Sequence, residues 1–303
     1  MNRPAAPAGQ RILAGILFMC AAGMLFPVMS GFAKFLGEDY NSLQVSWARA
    51  FGQIVFMMMF FVPRFGVRML HTRRPGTQLV RSALLFASNA SSFLAIVFIP
   101  LAKAASITMM APLLVLPLAW AMLGERTSAK GLVALVAGFA GVLIVIRPGT
   151  ELFHWASILP LISAACYALY QVLTRQIAGI DSPETSAIYS SMFGGFGMFL
   201  ILPFVWKTPE NWRDIAYFSS LGVIGGMGHY FVARALAYAP ANIVAPFQYM
   251  QLIGSVIVGY LFFGDFPDFL GWVGAAIIVA AGLYTGWLQT RKPRSVPASS
   301  PAE

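Results

Sequence analysis

The chain has 303 residues, of which 58% are hydrophobic and only 10% are charged, and its mean hydropathy is +0.73. A soluble domain carries about 25% charged residues, so this composition leaves too few polar side chains to cover a surface that faces water. It excludes a soluble enzyme and predicts an all-α integral membrane protein.

Apolar runs of about 20 residues, each long enough to cross a hydrocarbon core, recur from end to end. We predict ten transmembrane helices, at 12–34, 43–62, 79–99, 104–123, 129–146, 155–175, 184–205, 215–238, 242–263 and 269–288. The connections between them leave no room for a separate catalytic or nucleotide-binding domain.

The lysines and arginines of the loops are unevenly distributed between the two sides of the membrane. With a cytoplasmic N-terminus, the cytoplasmic side holds Arg3, Arg11, Arg64, Arg68, Arg73, Arg74, Arg126, Lys130, Arg175, Arg291, Lys292 and Arg294, and the other side holds Lys34, Lys103, Arg147, Lys207 and Arg213. Cytoplasmic loops are the ones that carry this excess. We therefore predict a multi-pass protein of the inner (plasma) membrane with both termini in the cytoplasm. The net charge of +9 follows from this topology and gives no reason to expect a nucleic-acid partner.

The two halves of the chain share an ordered pattern. Leu101-Ala102, Ala111-Pro112 and Gly124-Glu125 are matched in order by Leu236-Ala237, Ala245-Pro246 and Gly264-Asp265, and Lys34 and Arg175 close the first helix of each half. Because each half has an odd number of spans, the second copy must be inverted, as in many secondary transporters. We predict a tail at 1–11, a first five-helix repeat at 12–148, an inverted second repeat at 149–288 and a disordered tail at 289–303.

These features resemble the EamA type of the drug/metabolite transporter superfamily. The resemblance rests on the two five-helix halves, the Gly124-Glu125-Arg126 turn and the glycine-rich fifth helix that runs into Ile146-Arg147-Pro148. It implies a central cavity surrounded by helices one, three, four, six, eight and nine. Within the superfamily, the chain is most similar to bacterial exporters of amino acids and related metabolites. Asp265 stands where the family pattern has a glutamate.

Polar side chains within spans should face the protein interior or a water-filled cavity. Ser163, Tyr167 and Gln171 share one face of the sixth helix. The other candidate cavity residues are Ser30, Asn89, Ser92, His229, Tyr230, Gln248 and Gln251. Each serine could instead bond a neighbouring helix, and His229 could be a satisfied core histidine.

Arg49 lies about a turn and a half inside the second helix. It is a candidate to bind a substrate carboxylate or to be a structural cation that bonds backbone carbonyls and reaches outward. We expect the structural role, because the second helix is peripheral in this superfamily. Arg81 and Arg234 are expected to reach the cytoplasmic face.

No acid lies deep in a predicted span, whereas exchangers of cationic drugs usually need a buried carboxylate. Together with the resemblance, this predicts a secondary transporter that exports amino acids, aromatic and other neutral ones included, and related small metabolites by alternating access. Efflux of multidrug cations is the alternative, followed by a membrane-embedded enzyme or scaffold. We expect no catalytic residues, cofactor or metal; the partners are a small-molecule substrate and the lipid bilayer. The oligomeric state stays open, and a monomer is compatible with the pattern.

Overall fold

A computed structural model of the chain describes residues 8–123, 129–148, 150, 153–177, 180–181, 183–238 and 245–290. The regular elements in these ranges are all helices. They are α1 (Ala8–Asp39), α2 (Ser42–Phe65), α3 (Pro75–Phe98), α4 (Leu101–Thr108), α5 (Ala111–Leu123), α6 (Ala129–Ile146), α7 (Ile158–Gln176), α8 (Pro183–Tyr189), α9 (Met192–Phe196), α10 (Leu202–Val205), α11 (Trp212–Tyr238), α12 (Met250–Phe263) and α13 (Phe269–Thr290), with short 3₁₀ helices at Val67–Leu70, Trp155–Ser157, Gly197–Leu200 and Ala245–Tyr249.

Among the described residues, six helical segments are long and apolar enough to cross a membrane. They are Ile12–Asp39, Ser42–Arg64, Pro75–Phe98, Leu101–Met122, Ala129–Ile146 and Trp155–Thr174. Shorter apolar helices lie at Phe247–Phe263 and Phe269–Tyr284. An all-helical, multi-pass membrane protein is therefore the correct fold class.

Local chemistry sets several helix ends close to the predicted positions. Asn41 caps α2, because its side-chain oxygen accepts a hydrogen bond from the Leu43 N–H at 2.9 Å. Pro75 occupies the first turn of α3, where a missing N–H costs nothing. Gly264 ends α12 in the left-handed conformation, at φ 68°, which favours glycine.

The fourth and seventh predicted spans are broken, where the sequence predicted continuous helices. In the fourth, α4 ends at Thr108 and α5 begins at Ala111, just before Pro112, which has no N–H to donate. The seventh is divided into α8, α9, a 3₁₀ helix and α10. The hydroxyl of Ser82 compensates this second break: it donates to the Ser190 carbonyl at 3.1 Å and accepts from the Phe193 N–H at 2.7 Å. A side chain from another helix thus pairs backbone groups that a break in lipid would leave unpaired.

Helix packing follows a pattern that relates the two halves. The first span packs on the eighth (α1 on α11), and the sixth packs on the third (α7 on α3). The first span also packs on the ninth (α1 on α12), as the sixth does on the fourth (α7 on α4 and α5). When each span is exchanged for the span five positions away, the α1–α11 pair becomes the α7–α3 pair, and the α1–α12 pair becomes the pair of α7 with α4 and α5.

Candidate substrate site

A cavity of about 120 Å³ lies among α1, α3, α7, α11, the break between α4 and α5, and the start of the ninth span. Its polar lining residues are Ser30, Ser88, Asn89, Ser92, Thr108, Ser163, Tyr167, His229, Gln248 and Gln251. Its apolar walls include Phe26, Met29, Phe93, Met109 and Pro112. Among the described residues that line it, none is an aspartate or glutamate.

The structure brings together eight of the residues that the sequence singled out. Ser30, Asn89, Ser92, Ser163, Tyr167, His229, Gln248 and Gln251 all line the cavity. The face of the sixth helix that carries Ser163 and Tyr167 was assigned correctly, as was the face of the ninth that carries Gln248 and Gln251. Whether these side chains bind substrate stays a prediction.

Two predicted residues do not line the cavity. Gln171 lies one turn beyond Tyr167 on the same face, and helical periodicity fixes a face but not the depth at which a cavity ends. Tyr230 follows His229 directly, so it is rotated by about 100° around the helix. Its ring packs instead against Phe61 of α2, with centroids 4.8 Å apart.

Thr108 and Met109 were not predicted as site residues. They line the cavity because the fourth span breaks directly after Thr108. The sequence signal for this break is Pro112, one turn further on. Transporters commonly build their binding sites at such discontinuous helices.

Hydrogen bonds within the protein occupy part of the polar lining. The hydroxyls of Ser88 and Ser163 are 2.9 Å apart, and Asn89 Nδ2 donates to the Leu85 carbonyl at 2.7 Å. In the described part of the chain, no side-chain hydrogen bond joins Gln248 or Gln251 to another residue. Their amide groups are therefore free to donate to and accept from a ligand.

Aromatic rings stand on both sides of the cavity. Phe26 of α1 meets the His229 imidazole edge-on, with ring centroids 5.3 Å apart. Tyr167 of α7 stacks on Tyr170 at 5.7 Å. A cavity with aromatic walls and free amides suits a flat, polar ring.

The expectation that Arg49 reaches outward is wrong. Its side chain is only 1% exposed, and Nη1 donates to Gln53 Oε1 at 3.2 Å. Three further polar atoms are buried without a hydrogen-bond partner in the described part of the chain: Arg49 Nε, Gln53 Nε2 and Ser46 Oγ. A tight approach of α2 to α11 encloses this group: a Cβ atom on Gly222 would lie 2.4 Å from Gly52 Cα.

Arg81 does not reach the cytoplasmic face either. It is 1% exposed, its Nε donates to Thr174 Oγ1 at 2.8 Å, and its guanidinium lies 4.8 Å from the centre of the Tyr170 ring. Arg81 also bonds the Gln78 side chain. These partners on α3 and α7 supply hydrogen-bond acceptors and an aromatic face to the Arg81 guanidinium inside the protein. Arg234 is partly buried and donates to Tyr238 Oη at 2.8 Å.

Asp181 joins two loops that are both predicted to be cytoplasmic. Its carboxylate accepts hydrogen bonds from Thr72 Oγ1 at 2.5 Å, Gln78 Nε2 at 2.8 Å and the Arg73 N–H at 3.0 Å. Burial raises the pKa of this carboxyl, but the three donors outweigh burial and lower the pKa below its ordinary value.

A second polar cluster joins loops on the opposite side. Tyr40 donates to Asp214 Oδ2 at 2.6 Å, and the Gln44 amide bonds both backbone groups of Lys207, at 2.7 and 2.9 Å. Burial and the neighbouring Asp214 carboxylate raise the pKa of Tyr40 to about 12. On the same side, Lys34 pairs with Asp265 at 2.8 Å.

The chain is similar in sequence to curated membrane transporters. It is 29% identical over 292 residues to a riboflavin transporter of Rhizobium johnstonii, with 94% of both chains covered. It is 27% identical over 252 residues to an S-adenosylmethionine uptake transporter of Rickettsia prowazekii, covering 83% of this chain and 85% of the relative. A protein of known crystal structure, 17% identical, superposes with a TM-score of 0.61 over 95% of this chain and 100% of its own, which shows a shared fold.

The profile of the EamA-like transporter family matches the chain twice, at residues 13–147 and 154–286. The two matches together cover nearly all of the chain, so the resemblance inferred from the sequence is confirmed. The chain belongs to the EamA-like transporter family of the drug/metabolite transporter superfamily, whose members are multi-pass membrane transporters.

Proposed function

We propose that the protein imports a neutral metabolite with a flat, polar heteroaromatic ring across the inner membrane, with riboflavin as the first candidate. The observation that carries this proposal is the chemistry of the cavity: amides, hydroxyls and aromatic rings, with no carboxylate among its described lining residues. The relatives named above transport a neutral ring compound and a sulfonium cation, respectively. A cavity without an acid favours the neutral one.

The cavity groups complement the edges of such a ring. An isoalloxazine has alternating carbonyl acceptors and an N–H donor along one edge, and each glutamine amide offers both a donor and an acceptor. Gln248 and Gln251 are free to supply them. Phe26 and Tyr167 supply faces or edges for ring packing, and the hydroxyls of Ser30, Ser92 and Thr108 suit a polyol chain.

The proposed mechanism is alternating access between two inverted five-helix halves that form ten spans. Three observations support it: the family profile matches twice, the helix pairs of one half correspond to those of the other, and the cavity lies at a broken helix. Rocking of one half against the other would expose the same cavity to each side in turn.

Amino-acid export, predicted from the sequence, stays a prediction and takes second place. The free amides and hydroxyls of the cavity suit a zwitterion, and its aromatic walls suit aromatic amino acids. Efflux of cationic drugs is disfavoured, since no acid lines the described part of the cavity.

Growth of a riboflavin-requiring bacterium that lacks its own uptake system tests the proposal. Cells that express this protein should grow on low micromolar riboflavin, and cells with an empty vector should not. A large excess of tryptophan or S-adenosylmethionine should leave this growth unchanged. Failure to grow while the protein is present in the membrane would contradict riboflavin import, and inhibition by tryptophan would favour the amino-acid alternative.

A further inference from the structure

We infer that Arg49 determines specificity, as an unneutralised positive charge behind the cavity wall that makes the transporter select neutral or anionic substrates over cationic ones. The inference deepens the proposed function and rests on the assignment of the central cavity as the substrate site.

The guanidinium lies directly behind residues that line the cavity. A Cβ atom on Gly225 of α11 would lie 3.4 Å from Arg49 Nη1 and 3.3 Å from Met29 Sδ. Met29 lines the cavity, and so does His229, which follows Gly225 by one helical turn. The absence of a side chain at Gly225 leaves room for the guanidinium at this position.

No acid compensates this charge within the described part of the chain. Among the described residues, the guanidinium donates one hydrogen bond, to the neutral Gln53 side chain, and Arg49 Nε has no partner. Both ion pairs of the described residues, Lys34–Asp265 and Arg147–Asp268, lie elsewhere. Because a charge acts over a longer range in the protein interior than in water, its field should extend into the cavity.

A purely structural role explains this arrangement less well. A buried arginine in a membrane span is costly, and apolar residues would join α2 to α11 without that cost. Ser46 and Gln53, on the same face of α2, also keep buried polar atoms unpaired. The site therefore holds a positive charge with no neutralising acid among the described residues. Such a charge would disfavour a cationic substrate in the cavity and favour an anionic one.

The experiment compares variants that change the charge with variants that keep it. Arg49→Gln removes the charge, whereas Gln53→Glu keeps the guanidinium and neutralises it through the contact that Gln53 already makes. Arg49→Lys keeps the charge with a different shape, and Gln53→Leu removes the hydrogen bond to Arg49 without adding an acid. Comparing Gln53→Glu with Gln53→Leu separates the effect of neutralising the charge from the effect of altered packing, even if Arg49→Gln fails to fold.

The readout is uptake of labelled riboflavin into proteoliposomes, with S-adenosylmethionine as a cationic competitor and riboflavin 5′-phosphate as an anionic one. We expect Arg49→Gln and Gln53→Glu to strengthen inhibition by the cation and weaken inhibition by the anion, each on the order of tenfold, as for a unit charge acting over roughly 10 Å through protein. Arg49→Lys and Gln53→Leu should keep both inhibition constants within about twofold of the wild type.

Unchanged competitor preferences in Gln53→Glu, or an equal change in Gln53→Leu, would overturn the inference. A wild type that moves no riboflavin would refute the proposed function instead. The shift in unfolding temperature on adding each charged compound then replaces uptake as the readout. The cation should stabilise Gln53→Glu more than the wild type and the anion less, and equal shifts in both proteins would overturn the inference.

Discussion

The hydrogen bonds of the Asp181 carboxylate should stabilise the folded protein at neutral pH. Three donors favour its ionised form in the folded protein, and bonds to a charged acceptor are the stronger ones. The folded-state pKa of Asp181 lies below the unfolded value of about 3.9. Its contribution to the free energy of unfolding is therefore complete at pH values above about 3.9 and is lost as the pH falls through the folded-state pKa.

The Asp181→Asn variant should therefore unfold at a lower temperature at pH 7, by on the order of 2–4 °C. The difference from the wild type should shrink as the pH falls below about 3.9 towards the lower folded-state pKa of Asp181, because the carboxyl then becomes neutral. Thermal unfolding of detergent-solubilised protein from pH 3 to 8 measures both effects. The control is Glu38→Gln, an exposed acid at the end of α1. A difference between wild type and variant that stays constant with pH would show that the Asp181 charge is irrelevant.

Helical periodicity predicted much of the candidate site. It placed eight residues around one cavity, because polar groups in a bilayer have few other places to face. It failed for Gln171, because periodicity does not show how deep along a helix the cavity extends. It failed for Tyr230, because a residue directly after His229 points in a different direction around the helix. The expectations for Arg49 and Arg81 rested on their depth in the span and, for Arg49, on the peripheral second helix of the superfamily, and they were wrong. Burial of these arginines depends on partners from distant parts of the sequence: Gly225 beside Arg49, and Thr174 with Tyr170 beside Arg81.

We expect transport to depend on the break in the fourth span. Pro112 lines the cavity and follows the break, whereas Pro117 lies inside α5 and does not line the cavity. Replacing a proline inside a helix restores an N–H and removes a clash with the preceding turn. Pro112→Ala should therefore favour a continuous fourth helix.

We expect Pro112→Ala to raise the unfolding temperature or leave it unchanged while it reduces substrate uptake several-fold. Pro117→Ala, the matched control, should keep substantially more uptake. Uptake at equal protein levels, together with thermal unfolding, measures both properties. Equal uptake by Pro112→Ala and wild type would show that the break is not needed for transport.

The sequence predicted the positions of the helices better than their continuity. Hydropathy measures how favourably a segment partitions into the bilayer. Because a broken span is as apolar as a continuous one, hydropathy does not reveal the break. The division of the seventh span depends on Ser82, a residue of α3 that pairs the freed backbone groups around Ser190 and Phe193. A contact between distant segments of this kind is not visible in local sequence.

Corresponding contacts occur in both halves of the molecule. Asp181 joins the loop after the sixth span to the loop after the second, and Tyr40 joins the loop after the first span to Asp214 in the first turn of α11, directly after the loop that follows the seventh. In the repeat pattern, Lys34 and Asp265 correspond to Arg175 and Glu125. Glu125 and the side chain of Arg175 lie outside the described part of the chain, so an ion pair between them is a new prediction from the repeat.

We propose that the cavity among these helices binds a neutral heteroaromatic substrate. Uptake of riboflavin into proteoliposomes by the wild type and by Gln251→Leu tests this proposal. We expect saturable uptake by the wild type and a loss of at least about tenfold in the variant, because the edge of the bound ring would lose its amide partner in a buried site. Gln171→Leu, which replaces a glutamine outside the cavity lining, should retain much more activity. No riboflavin uptake by folded wild type, or equal uptake by Gln251→Leu and wild type, would contradict the claim.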